Sequence, residues 1–302
     1  MSNQYSKYDN EIDLRIFFST LYQNKFFIIS ITLALSIIFS VISFKIPEQY
    51  TASVLLKVND DPSKKQNFSG LASFAGISLN DTSNSKSDIF TETVKSKLII
   101  NEIIKNHPNI KKDIIAADGY DHENKKIIYA DSIFDSRKDI WVRKPVKGRS
   151  SEPTYIEVHQ YLQEKFFVDE NKETGFITLS YRHYSPDFAF KFINILVDTV
   201  NQITKKNDIE DSNKALDYLY DQLSTISEKD IRASINNLIL AQLNINMLAN
   251  VNENYIVTPI DPAVIPEIHS SPNKFLIVAL GFILGLFLST TIVLVRQLYS
   301  ID

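Results

Sequence analysis

Residues Phe26–Phe44 read FFIISITLALSIIFSVISF, and Phe275–Val295 read FLIVALGFILGLFLSTTIVLV. These runs of 19 and 21 residues contain no charged side chain. Coiled as helices they rise roughly 28 and 32 Å, which matches a hydrocarbon core of ~30 Å. Lys25 and Lys45 bound the first, Lys274 and Arg296 the second, and no other run between them is as long and apolar. The first does not read as a cleaved signal. It exceeds the usual apolar stretch of about 7–15 residues, a polar tail precedes it, and no small-x-small site follows Phe44. Two spans place both termini on one side. Lys7, Arg15, Lys25 and Arg296 flank the spans on the tail side, and a loop as long as 45–274 translocates regardless of its charge. The expected organisation is a cytoplasmic tail (1–25), a span (26–44), a domain beyond the membrane (45–274), a second span (275–295) and a cytoplasmic tail (296–302). In a bacterium with two membranes the domain is periplasmic. Inside the second span, Gly281 and Gly285 leave room for another helix to approach closely, and Ser289 extends the small-residue face. The first span and a neighbouring subunit are both open as partners.

Within the domain, Thr51–Val58 is rich in β-branched residues and reads as a strand. A Ser- and Asn-rich stretch follows, interrupted by an apolar insert, Phe68–Leu79. Helical spacing over Asp88–Asn106 ends at His107-Pro108. Lys111–Pro153 reads as short elements and loops, Tyr155–Lys165 as a short helix, and Phe166–Glu170 with Phe176–Arg182 as a hairpin. From Pro186 to Thr258 there is no glycine, and no proline after Pro186 itself. Ser185-Pro186-Asp187 supplies a capping hydroxyl, a first-turn proline and an acid at the positive helix end. An uninterrupted helix to Val251 would be roughly 100 Å long, so it projects from the domain or breaks. Leu216, Leu219, Leu223 and Ile226 form a narrow seam suited to lateral contact between copies; the five-residue step to Ile231 implies a slip or kink. Pro259, Pro262, Pro266 and Pro272 make the approach to the second span extended and stiff. Strands near both ends of the loop, in 46–60 and 255–265, are expected to pair beside 88–106 and 154–182. The fold class is therefore α+β: two transmembrane helices flanking a domain with an α/β base and a long projecting helix over 186–251.

No chemistry stands out. A net charge of -4 gives no basic face for nucleic acid, and the absence of cysteine excludes disulfides and thiolate sites. Seven glycines leave no phosphate-cradling loop, and no H-E-x-x-H or G-x-S-x-G occurs. No catalytic, cofactor or metal residue is assigned. One cluster suits acidic or phosphorylated sugars: Trp141, the sole tryptophan, with Arg143, Lys144, Lys147 and Arg149 as candidate glycan contacts. Runs of this kind are more often solvated loop surface.

The ordered layout resembles the Wzz-type chain-length determinants, or polysaccharide co-polymerases. The resemblance rests on Glu11-Ile-Asp-Leu14 before the first span and Pro47-Glu-Gln-Tyr-Thr-Ala52 after it. It continues through Thr174–Leu179, Ser185–Ala189, Met247-Leu-Ala249, Ile260-Asp-Pro-Ala263, Pro266 and Ser271-Pro-Asn-Lys274 leading into the Gly281/Gly285 span. It implies a ring-like homo-oligomer in the inner membrane, beside a polymerase of lipid-linked repeat units. Such a protein regulates O-antigen or related chain length without making bonds. Some relatives carry a kinase after the second span; with the sequence ending at Asp302, that activity is not expected. The alternative is an adaptor of an ABC-dependent capsule exporter.

Overall fold

The computed structural model describes residues 14–59, 86–145 and 148–298. The insert Phe68–Leu79, the motif residues Glu11–Asp13 and Lys147 lie outside the described residues. The chain divides into two compact units, one from 1–48 with 270–302 and the other from 49–269.

The first unit begins with α1 (Leu14–Gln23) and α2 (Lys25–Lys45), the latter covering the first apolar run. Asn24 joins them, its Nδ2 donating to Thr20 O at 2.9 Å.

The second unit opens with β1 (Tyr50–Val58). Its alternation buries Tyr50, Ala52, Val54, Leu56 and Val58 and turns Ser53 and Lys57 outward. The helix expected over 88–106 is two helices, α3 (Lys86–Val94) and α4 (Lys97–Asn106). The break has a local cause: extended Ser96 accepts the Ile99 N–H, so its hydroxyl starts a new helix instead of continuing the old one. After α5 (Ile110–Ile115), two small hairpins pair β2 (Ala117–Asp121) with β3 (Lys126–Tyr129) and β4 (Phe134–Asp135) with β5 (Ile140–Trp141). A reciprocal Thr154–Glu157 capping box starts α6 (Tyr155–Gln163). Then come β6 (Phe166–Glu170) and β7 (Phe176–His183), joined through Gly175 at positive φ.

The long helix α7 (Pro186–Thr225) starts as expected, with Ser185 accepting the Phe188 N–H and Pro186 in the first turn. It does not run on to Val251. Ile226 and Glu228 are extended, and α8 (Lys229–Val251) returns antiparallel along α7. The five-residue step in the apolar seam is thus a reversal of the chain. Arg232 Nη1 donates to Leu223 O (2.9 Å) and Ile226 O (3.0 Å), filling carbonyls that the end of α7 leaves open. β8 (Val257–Asp261) closes the domain.

The main sheet is four-stranded and antiparallel in the order β6-β7-β1-β8. Leu55–Val58 lie opposite Val257–Asp261, so strands from the two ends of the loop do pair. Pro259 sits inside β8 rather than in a free approach, which the edge position tolerates because one side of that strand needs no donors. The first turns of α7 cover one sheet face with Phe188, Phe192, Ile193, Leu196 and Val200. Phe90, Ile99, Ile103, Val158 and Leu162 from α3, α4 and α6 complete the core. The first unit is completed by α9 (Lys274–Leu298), the second apolar run.

Candidate functional site

In the first unit the two apolar helices pack side by side as an antiparallel pair. Both are long and apolar enough to cross a membrane, and most of their surface faces outward, unlike helices in a soluble core. Gly281, Gly285, Ser289 and Val293, four residues apart, form the buried stripe of α9. A Cβ at Gly281 would lie 2.6 Å from Phe39 Cβ, and one at Gly285 would lie 2.9 Å from Thr32 Cα. Within the chain the small residues thus face the first span, one of the two partners that the sequence leaves open. Hydroxyls along the seam bond within their own helices: Thr32 Oγ1 donates to Ile28 O (2.8 Å) and Ser289 Oγ to Leu286 O (3.0 Å). At one end Lys274 Nζ donates to Glu48 Oε1 at 2.8 Å and lies 5.3 Å from the Phe44 ring centre, fixing the register of the pair.

In the second unit, the seam residues meet their own chain. Leu216, Ile235 and Ile239 are buried together, with Leu219, Leu223 and Ile226 packed around them. Polar pairs hold the same register: Ser212 Oγ donates to Gln242 Oε1 (3.2 Å) and Asn246 Nδ2 to Asn213 Oδ1 (2.7 Å). The Leu216–Ile226 stripe is thus occupied inside the hairpin and does not stand open for another copy.

Two positioning groups carried no sequence motif. Asn201 on α7 is 3% exposed; its Oδ1 accepts the N–H groups of Ile256 (2.9 Å) and Val257 (3.1 Å), and its Nδ2 donates to Val257 O (3.2 Å). One amide thereby supplies three of the bonds that hold the returning chain where it rejoins the sheet. His183 ends β7. Its Nδ1 accepts the Ser185 N–H (3.0 Å), so Nε2 carries the proton and donates to Asp113 O (2.8 Å). Burial lowers its pKa from 6.5 to about 4. A neutral histidine is required in the fold, while the unfolded chain takes up a proton below pH ~6.5. Its stabilising contribution is therefore complete above that pH and falls as the pH drops toward 4. The expected loss is about 3 kcal/mol over that window. Asp113, raised by burial, works in the opposite sense at the acid end. Denaturant titrations at stepped pH should show this slope in the native chain and a flatter profile in His183→Gln, whose amide retains a donor for Asp113 O.

The described members of the tryptophan and cation cluster are engaged largely with the protein itself. Trp141 packs edge-on against Phe134 at 5.2 Å. Arg143 donates to Glu157 Oε2 (2.7 Å) and Ser151 O (2.6 Å), serving the α6 capping box, and Arg149 lies 3.9 Å from the same Glu157 carboxylate. Lys144 is exposed. Pro262 and Pro266 lie in irregular chain after β8, and Pro272 lies just before α9. Among the described residues no group of three His, Cys, Asp or Glu side chains gathers that could hold a metal. A cleft of about 710 Å³ beside α7 mixes Lys205 and Lys206 with Asp198, Glu210 and Glu253.

Two family profiles match the sequence. "Chain length determinant protein" (Wzz) matches residues 10–107, and "G-rich domain on putative tyrosine kinase" (GNVR) matches 219–298. The first takes in the first span, β1, α3 and α4; the second takes in the hairpin turn, α8, β8 and all of the second span. No curated protein matches significantly. Among solved structures, a full-length bacterial polysaccharide co-polymerase is 12% identical over 96% of this chain and 98% of its own, with a TM-score of 0.39. A fragment of WzzB, a polysaccharide co-polymerase from Salmonella Typhimurium, is 10% identical over 74% of this chain and 100% of its own, with a TM-score of 0.29.

Proposed function

We propose that the chain is a Wzz-type chain-length determinant and that it sets the length of a surface polysaccharide, O-antigen or a related lipid-linked glycan. In this reading it acts as a non-catalytic, oligomeric partner of a membrane polymerase. The observation that carries the reading is the pair of family matches, each of which brings one span together with the part of the domain next to it. Both termini lie in the cytoplasm and the domain in the periplasm. The expected experiment is a gel of surface polysaccharide from cells with and without the gene. Loss of a preferred length while polymer continues to be made supports the proposal; loss of all surface polymer, with material retained inside, sinks it in favour of an export adaptor.

Self-association uses the outward side of the hairpin, because its inner side is filled by its own helices. Leu240, Leu243 and Met247 on α8 are exposed at helical spacing, with Leu240 at 64%. Leu240→Asp with Leu243→Asp should lower the mass of the detergent-solubilised particle, while Leu219→Asp should instead lower the melting temperature of the hairpin. An unchanged mass in the first variant removes this surface as the contact between copies.

A further inference from the structure

The chain leaving the domain toward the second span carries an exposed apolar surface. Val264, Ile265 and Ile268 are 68%, 48% and 80% exposed. Single exposed aliphatic side chains are ordinary, but three within five residues are a patch. Ala263, just before them, is buried in the core and holds the start of the segment. Residues 262–269 form neither helix nor strand. Ile268 precedes Lys274, the first residue of α9, by six positions, so the chain cannot carry it more than about 20 Å from that point. Irregular backbone is excluded from hydrocarbon because its N–H groups go unpaired, yet it can lie in the wetter headgroup layer. Pro262 and Pro266 remove two of those N–H groups and hold φ fixed, so little freedom remains to be lost on docking.

We propose that residues 264–268 are an interfacial anchor whose three aliphatic side chains seat in the headgroup–acyl boundary of the bilayer. The occupant of the patch is lipid. The inference rests on α9 being a span and is independent of polysaccharide length. The cysteine-free sequence makes the test direct. Single Ile268→Cys and Val264→Cys variants of the full chain, each carrying a nitroxide, are reconstituted in phosphatidylethanolamine–phosphatidylglycerol vesicles. A reference label is placed at Glu123→Cys on the exposed β2–β3 turn. Both sites tolerate a label because their side chains already face outward. The expected result is a several-fold higher ratio of oxygen to water-soluble nickel-chelate collisions at 264 and 268 than at 123. Nickel access equal to that at the reference overturns the proposal. Low access to both reagents also overturns it, because a protein surface and not lipid would then cover the patch.

Discussion

Replacing Gly281 or Gly285 with alanine will destabilise the paired spans, although alanine is the better helix former. In an isolated helix the exchange favours the folded state by about 1 kcal/mol. Here the added Cβ meets Phe39 Cβ at 2.6 Å or Thr32 Cα at 2.9 Å, atoms fixed to the facing helix and unable to swing aside. The helices must separate, and overpacking of this kind costs about 1–3 kcal/mol together with the close contacts on either side. Packing therefore outweighs propensity. Each variant should melt earlier in detergent than the native chain, and Gly281→Ala combined with Gly285→Ala earlier still. Ser289→Ala serves as the comparison, because that hydroxyl bonds to Leu286 within its own helix. Melting at or above the native temperature in the glycine variants would mean that the helices do not approach so closely. In cells, the double variant should insert normally yet lose the preferred polymer length.

Asn201→Leu will unfold the join between α7 and β8. Leucine fits the burial but leaves Ile256 N–H, Val257 N–H and Val257 O without partners, at about 1–3 kcal/mol each. Even the lower part of that range, about 3–5 kcal/mol, is a large share of the 5–15 kcal/mol that typically holds a domain together. The urea midpoint of the full chain should fall by roughly 2 M, with fast hydrogen exchange at the Ile256 and Val257 amides. Asn201→Asp keeps an acceptor for the two N–H groups but loses the donor and buries a charge, so it should not rescue the variant. An unchanged midpoint in Asn201→Leu would show that the strand is held by sheet pairing alone.

The spans, the β6–β7 hairpin and the start of α7 were legible in the sequence because each is encoded locally. Charge-free length marks the spans, alternation around Gly175 marks the hairpin, and Ser185-Pro186-Asp187 marks the helix start. The end of α7 was legible only as a fault in spacing. A five-residue step from Ile226 to Ile231 does not distinguish a kink from a full reversal, because that depends on whether Ile235 and Ile239 find Leu216, many residues away. The spacing shows the seam itself, but not that the returning helix of the same chain covers it. Arg143 shows the opposite difficulty. A cation beside tryptophan looks like a ligand contact until Glu157, fourteen positions on, takes its guanidinium. Asn201 and His183 resemble any other Asn and His in sequence, and only the carbonyls and amides around them reveal what they hold.

The order of the sheet also sets a timetable for biogenesis. β1 is made early, but its neighbours are β7, beginning at Phe176, and β8, ending at Asp261. Until those segments have been synthesised, Val54 and Leu56 have no strand on either side, and both hydrogen-bonding edges of β1 stay open. An unpaired apolar strand is a template for pairing with the wrong chain. The early stages of synthesis are therefore the aggregation-prone ones, and the domain closes only when nearly all of it has emerged.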